Sequence, residues 1–176
     1  KADEDVVMMT DGIWVPLEPK DEFNGPEISF AREMKKAYPN SRIGIIKIAI
    51  GGAGIRAFVP DWSPELASVS GDEQLGSLYD KLLKHLEISN RDPSIRYMGV
   101  LWEQGAKDMD KKERAEGYLD YLSGIITQLR IDTGTPELPL FVGTYFDMET
   151  LDKLKSMGYP KVKFREAIYE VIRDHN

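Results

Sequence analysis

The sequence predicts a three-layer α/β sandwich with a mainly parallel sheet. Two apolar, β-branched runs, 43–50 and 95–102, show no helical period and are typical of buried strands. Segments with helical apolar spacing separate these runs, and a third apolar run follows at 138–145. Strands that are joined by helices pair in parallel through right-handed crossovers. The length of 176 residues fits a single domain.

The remaining elements follow from local signals along the chain. A short apolar run at 6–9 predicts a strand, and Asp11-Gly12 predicts a turn after it. Pro26 stands at a favourable first position for a helix that ends before Pro39. A long loop is expected at 53–71. Further helices are expected at 72–86, 111–129, 148–157 and 161–174.

Composition excludes several classes of function. The chain has 41% hydrophobic and 30% charged residues, a formal net charge of −7, no cysteine and two histidines. This acidic balance, without a basic cluster, argues against nucleic acid or an anionic membrane as a partner. Without cysteine there is no disulfide, thiolate metal site or cysteine nucleophile. Two histidines distant in sequence make a zinc site an unfavoured interpretation, so we predict no metal site.

Neither end reads as a natural terminus. The chain opens on Lys-Ala-Asp-Glu without an initiator methionine, and it closes inside a predicted helix. We therefore expect these residues to belong to a longer polypeptide.

The carboxyl ends of the strands are where chemistry is expected in such a sheet. The glycine-rich segment 51–54 follows the first buried run. Its backbone amides predict an oxyanion hole or a phosphate cradle, and the alternative is a tight turn that needs positive φ. It lacks the G-x-G-x-x-G pattern of dinucleotide sites and the Gly-Lys-Ser/Thr of phosphate-binding loops.

The segment after the second buried run carries Gln104, a neutral donor that can stabilise a developing oxyanion. The alternative is a polar residue on a surface loop. Trp102 is either a core residue or a platform for a sugar face, and Arg56 lies on the long loop, where it can line a cleft or be solvated. Asp108 precedes a helix and can cap it or brace the loop of Gln104.

Three blocks in this order resemble the SGNH-hydrolase superfamily, in its branch of sialate O-acetylesterase-like proteins and carbohydrate esterase family 6. They are Gly-Pro-Glu-Ile-Ser-Phe-Ala at 25–31, Ile-Gly-Ile-Ile-Lys-Ile-Ala-Ile-Gly-Gly-Ala-Gly-Ile at 43–55, and Gly-Val-Leu-Trp-Glu-Gln-Gly-Ala-Lys-Asp at 99–108. The resemblance covers about residues 5–172. It implies a flavodoxin-like sandwich and a carbohydrate O-acetyl esterase that uses a serine acyl-enzyme and no cofactor.

The resemblance also implies roles for individual residues. Gly52 and Gln104 match the oxyanion-hole donors of the family. We predict that Gly51, Arg56, Trp102 and Asp108 bind the substrate, an acetylated carbohydrate. The family's usual setting is secreted or periplasmic.

Two family blocks are absent from the chain, and one position differs. There is no Gly-Gln-Ser-Asn block for the nucleophile, no Asp-x-x-His block for the base, and Ala106 stands where the family has glutamate. The missing blocks can lie outside these residues, the protein can be an inactive relative, or catalysis can be rewired within the chain. We favour the first, with 1–176 as one domain lacking its N-terminal strand and C-terminal catalytic segment.

A physical argument supports this preference. In the family's sheet the serine-bearing strand lies between the strands that correspond to 43–50 and 96–102. Without it, buried backbone groups would lack partners, each at a cost of about 1–3 kcal/mol. We expect a further segment or a second chain to fill the gap, and direct pairing of 43–50 with 96–102 would contradict this. Residues 5–9 are the alternative candidate to fill it, although they better match the family's outlying hairpin.

Two other functions remain open at this stage. A catalytically inactive carbohydrate-binding relative is the main alternative, because of Ala106 and the absent blocks. A nucleotide-binding module is the third, and it rests only on the glycine-rich segment 51–54.

Overall fold

The computed structural model describes residues 4–19, 25–109 and 111–143. The helices predicted at 148–157 and 161–174 lie outside the described residues. The described strands are β1 Val6–Thr10, β2 Ile13–Pro16, β3 Ile43–Ile45, β4 Val100–Trp102 and β5 Leu140–Val142. The helices are α1 Glu27–Ala37, α2 Pro64–Ser68, α3 Leu78–Ser89, α4 Lys112–Ala115 and α5 Tyr118–Asp132. Short 3₁₀ turns lie at Ile55–Phe58 and Glu73–Leu75.

The first sheet is mixed, which corrects the expectation of a mainly parallel sheet. β1 pairs with β2 in antiparallel fashion and with β3 in parallel, in the order β2-β1-β3. Asp11 and Gly12 have φ values of 49° and 82°, the paired positive angles of a type I′ turn. This turn folds the chain straight back and so creates an antiparallel neighbour. The Asp-Gly pair is the sequence signal for β2.

A second, parallel sheet consists of β4 and β5. Among the described residues, β3 pairs only with β1 and β4 only with β5. Direct pairing of β3 with β4, which would contradict an intervening segment, is therefore not found among the described residues.

The two apolar runs form shorter and more exposed strands than expected. Only Ile43–Ile45 of the run 43–50 and Val100–Trp102 of the run 95–102 are in strands. Ile50 is 43% exposed and Leu101 is 56% exposed, so the prediction of fully buried strands is not met by the described residues. The reason is that a ladder needs partners, and no described segment pairs with the rest of either run.

The helices differ from the sequence prediction in three places. The segment 53–71, expected to be a loop, contains the 3₁₀ turn Ile55–Phe58 and α2. α1 is confirmed close to its predicted bounds, whereas α3 begins later than expected because Ser77 caps it and accepts a hydrogen bond from Asp80 N–H at 2.9 Å. The predicted helix 111–129 is divided into α4 and α5 at Gly117, whose φ is 72°. A positive φ interrupts a right-handed helix and favours glycine.

The largest core holds the candidate site in place. The inner face of α5, with Leu122, Ile125 and Ile126 fully or almost fully buried, packs against Ile55 and Leu140. Ile55 begins the 3₁₀ turn that follows the glycine-rich segment, so this core anchors that segment directly. Within the described part of the chain, no helix is long and apolar enough to cross a membrane.

Candidate active site

The segment 51–54 forms a turn with an open outer side. Gly51 and Gly52 are exposed, and Gly52 has a φ of 75°. A Cβ atom placed on Gly52 would meet no atom of the described residues within 4 Å. The positive φ agrees with the tight-turn interpretation, while the open space leaves the Gly52 backbone within reach of a ligand.

Gln104 connects this turn to the loop that follows β4. Its side-chain Nε2 donates to Ala53 O at 3.0 Å and to Asp108 Oδ2 at 2.6 Å. The opposite amide orientation would place an oxygen against these two acceptors, so the contacts themselves assign the nitrogen. Both N–H groups of Nε2 are thus engaged within the protein, and the buried Oε1 has no partner among the described residues.

Asp108 lies completely inside the protein, with 0% exposure. Its Oδ2 accepts the Ile55 N–H at 2.9 Å in addition to the Gln104 amide. Burial raises the pKa of Asp108, against the opposing effects of these hydrogen bonds and of the nearby Arg56 charge. The N-cap of α4 is Lys111, so Asp108 braces the loop rather than capping the helix.

Arg56 is a buried residue that holds the end of α4. Its side chain donates to the carbonyl oxygens of Arg114 at 2.7 Å, Glu116 at 2.8 Å and Glu113 at 3.0 Å. Its guanidinium carbon lies 5.0 Å from the ring centroid of Tyr121. At 4% exposure, Arg56 supports the site from within instead of facing a substrate.

Trp102 also belongs to the interior, at 8% exposure. Its Nε1 donates to the Tyr118 hydroxyl at 2.9 Å, and that hydroxyl donates to the Gln104 carbonyl at 3.1 Å. Its ring packs edge-to-face against the Phe58 ring, with 5.6 Å between the ring centroids. The core interpretation of Trp102 therefore holds, and its hydrogen bonds position the backbone of Gln104.

Asp72 and Lys107 are members of this cluster that sequence reasoning missed. Asp72 Oδ2 accepts the Gly54 N–H at 2.8 Å, and Oδ1 accepts from Lys107 Nζ at 2.6 Å. Burial alone raises the pKa of Asp72, but the hydrogen bonds from Lys107, Gly54 and Ser70 outweigh it and lower the pKa. Asp72 stood only at a predicted helix start, and no local pattern marked its distant partners.

Two of the described serines donate their hydroxyls to backbone carbonyl oxygens. Ser29 donates its hydroxyl to Pro26 O at 3.0 Å, and the buried Ser70 donates to Ala67 O at 3.2 Å. His85 lies on α3, and His175 lies outside the described residues. No group of three or more His, Cys, Asp or Glu side chains suited to a metal ion occurs in the described ranges.

The structure thus brings four of the six predicted site residues into one network and leaves two at its surface. Asp108, Arg56 and Trp102 are buried, Gln104 is half-buried, and Gly51 and Gly52 form the accessible turn. Gln104 Nε2 contacts Ala53 O, the carbonyl of the residue that follows Gly52, so the side-chain amide lies against the glycine turn. Backbone N–H groups and side-chain amides are the donor types that oxyanion-binding sites use.

Comparison with known proteins identifies relatives of the chain. The sequence pattern of the family described as "Carbohydrate esterase, sialic acid-specific acetylesterase" matches residues 7–169. A protein of Arabidopsis thaliana, named a probable carbohydrate esterase, is 30% identical over 118 residues, which are 66% of this chain and 40% of that protein. The chain therefore spans less than half of this curated relative.

The crystal structure of this same Arabidopsis thaliana protein shares the fold. It superposes with a TM-score of 0.64 at 23% identity, over 81% of this chain and 58% of the other. The match of the family pattern extends over most of the chain and includes both the glycine turn and the Gln104 loop. The chain belongs to the carbohydrate esterase family of sialic acid-specific acetylesterases.

Proposed function

We propose that the protein hydrolyses acetyl esters on sugars by a serine acyl-enzyme mechanism of the SGNH type. Membership of the carbohydrate esterase family supports an ester hydrolase acting on acetylated carbohydrate. The main support for the proposal is the hydrogen bond from Gln104 Nε2 to Ala53 O at 3.0 Å, which joins the glycine turn to the Gln104 loop. The two proposed donors to an acyl oxygen, the Gly52 N–H and the Gln104 amide, therefore belong to segments in contact.

In this mechanism a serine hydroxyl attacks the ester carbonyl while a histidine removes its proton. The tetrahedral intermediate carries an oxyanion, which accepts from the Gly52 N–H and from Gln104 Nε2. The alkoxide of the sugar leaves with the proton that the histidine returns to it, and water then releases acetate from the serine. Both hydrogens of Gln104 Nε2 are already donated within the protein. The oxyanion therefore replaces Ala53 O as the acceptor of the longer of these two hydrogen bonds.

The serine and the histidine of this proposal come from outside these 176 residues. We infer that the serine stands at the end of a strand between β3 and β4. Two observations support this position. β3 and β4 do not pair with each other among the described residues, and Leu101 and Ile50 are more exposed than their apolar runs predict. A strand in that gap gives both runs a hydrogen-bonded partner.

A second candidate function is that of a non-catalytic carbohydrate-binding relative. The exposed Ala106 in place of the family glutamate favours it, as does the engagement of both Gln104 donors. This alternative predicts sugar binding without hydrolysis.

The test uses the natural polypeptide that carries this chain. Its mass is measured before and after a fluorophosphonate serine probe, and acetate release from acetylated sugars is followed in parallel. We expect a mass above the 20.0 kDa of these residues, a gain of one probe and steady hydrolysis. Sugar binding with neither labelling nor hydrolysis would establish the binding protein and refute the esterase.

A further inference from the structure

Two buried carboxylates hold consecutive amides of the chain just after the glycine turn. Asp72 accepts from the Gly54 N–H at 2.8 Å, and Asp108 accepts from the Ile55 N–H at 2.9 Å. The two side chains come from different parts of the sequence, since Asp72 precedes α3 and Asp108 follows β4. Consecutive amides that are bound from two directions leave the turn little freedom to move.

Each carboxylate also reaches the loop that follows β4. Asp72 Oδ1 lies 2.6 Å from Lys107 Nζ, and Asp108 Oδ2 lies 2.6 Å from Gln104 Nε2. The glycine turn and the Gln104 loop are therefore joined by two parallel carboxylate bridges. One bridge runs through an ion pair and the other through an amide.

In the ion-paired bridge, Asp72 lies outside the three blocks that resemble the family, whereas Lys107 belongs to the block 99–108. Asp72 is 2% exposed, and the side chain of Lys107 is 22% exposed. A short hydrogen bond between an ammonium group and a shielded carboxylate is stronger and more directional than a neutral one. The neighbouring Ala106 is exposed and has no polar group to contribute, so on this side of the loop the link runs through Lys107.

We propose that Asp72 is a positioning residue of the esterase site, which with Lys107 sets the distance between the Gly52 amide and Gln104. This inference rests on the proposed function. Asp72 itself touches no substrate. It acts through the Gly54 amide, two residues from the donor at Gly52, and through Lys107, three residues from Gln104.

The first test compares Asp72→Asn with Asp80→Asn, an exposed residue of α3, in the natural polypeptide. An asparagine keeps an oxygen for the Gly54 N–H but removes the charge that binds Lys107. We expect kcat per probe-titrated serine to fall about tenfold or more, with KM within a factor of about two, since misplaced groups lower the rate of the chemical step. A purely structural role lowers the number of titratable sites and leaves kcat per site unchanged, and that result would overturn the proposal.

The second test uses the partner of Asp72. Lys107→Met should lower kcat by a similar factor. The double variant Asp72→Asn/Lys107→Met should have a kcat no lower than either single variant. Lys107→Arg should keep most of the wild-type kcat, because it retains the charge. Lys84→Met on α3 is the matched control. Additive losses in the double variant would show that the two residues act separately and would contradict the inference.

A third readout does not depend on catalysis. Hydrogen exchange of a peptide covering residues 51–56 should be faster in Asp72→Asn than in wild type, while exchange in α5 stays the same. Unchanged exchange in 51–56 refutes the positioning role even in an active enzyme. Absence of labelling and hydrolysis in wild type refutes the proposed function itself. That failure is measured in wild type and failure of the positioning role in Asp72→Asn, so the two are distinguishable.

Discussion

The absence of a side chain at Gly54 allows the backbone of the turn to lie close to Ser70 and Asp72. A Cβ on this residue would lie 2.7 Å from Ser70 Oγ, 2.8 Å from Ser70 Cβ and 3.1 Å from Asp72 Oδ2. These neighbours are buried and hydrogen-bonded, so they have little room to move. Gly54 is therefore required for close approach between the turn and Asp72.

The first prediction compares alanine at two neighbouring glycines. Gly54→Ala should reduce the free energy of unfolding by about 1–3 kcal/mol, the usual cost of overpacking. Gly51→Ala should change it by less than about 0.5 kcal/mol, because an added Cβ there would have no atom within 4 Å and its surroundings are open. Urea unfolding of both variants measures the difference, and equal effects would show that the Ser70 contact is not limiting.

A second prediction at this scale concerns pH. The pKa of Asp72 is lower in the folded protein than in the unfolded chain, because the raising effect of burial is outweighed by the hydrogen bonds from Lys107 and Gly54. The unfolded chain therefore takes up the proton first as the pH falls. The stabilisation from ionised Asp72 is complete above the ordinary aspartate pKa of about 4 and is lost as the pH falls through the lower folded pKa.

We accordingly expect wild type to exceed Asp72→Asn in stability at neutral pH and the difference to shrink in acid. Unfolding free energies measured from neutral pH down to about pH 3 give this difference directly. Asp80→Asn is the control, because its exposed side chain has no such bridge. A difference between wild type and Asp72→Asn that stays constant across the range would contradict the ion-paired bridge.

At the scale of the elements, sequence signals locate the helices well and the strands poorly. α1 is predictable from its proline start and apolar spacing, which are local properties. β3 and β4 are shorter than predicted, because an apolar run does not reveal where its hydrogen-bonding partners end. β2 is not predicted, although Asp11-Gly12 is a hairpin signal and the residues after it, Ile13-Trp14-Val15, favour a strand.

α5 offers a prediction that isolates helix propensity. Gly124 lies in the exposed middle of this helix, with no atom within 4 Å of an added Cβ. Gly134 follows the helix end with a φ of 61°, and hydrogen bonds Gly134 N–H to Ile131 O and Thr135 N–H to Arg130 O complete a Schellman motif. Gly124→Ala should raise the free energy of unfolding by about 0.5–1 kcal/mol, whereas Gly134→Ala should lower it by about 1 kcal/mol.

Thermal unfolding followed by circular dichroism compares these two variants. The same substitution in the same helix is expected to act with opposite signs. If both variants lower the unfolding temperature, Gly124 has a packing role that the described residues do not show.

At the scale of the whole molecule, the candidate site is only partly predictable. Gly52 and Gln104 are assigned from a resemblance, and the structure joins their loops through the Gln104 amide. Arg56, Trp102 and Asp108 are predicted to bind substrate and instead lie in the interior, because charge and aromaticity in a sequence do not indicate which way a side chain faces. Asp72 escapes sequence reasoning, since its partners Gly54 and Lys107 are distant in sequence.

The two separate sheets bear on where the catalytic groups lie. β3 and β4 are neighbours of one strand in the proposed complete sheet, yet among the described residues no ladder joins them. The exposed Leu101 and Ile50 lie in the two runs that the proposed strand would join. Under the proposed function, the oxyanion donors and the nucleophile lie in different segments of the polypeptide.

The turnover of Gln104→Ala in the natural polypeptide measures whether Gln104 stabilises the oxyanion. Acetyl-ester hydrolysis is measured per probe-titrated serine at a temperature where the variant is folded, because loss of the Ala53 and Asp108 bonds also costs stability. Gln74→Ala, an exposed glutamine distant from the turn in sequence, is the control. We expect kcat to fall by about 10²–10³ for Gln104→Ala and to stay unchanged for Gln74→Ala. An unchanged kcat in Gln104→Ala would remove this residue from the oxyanion hole and contradict the account.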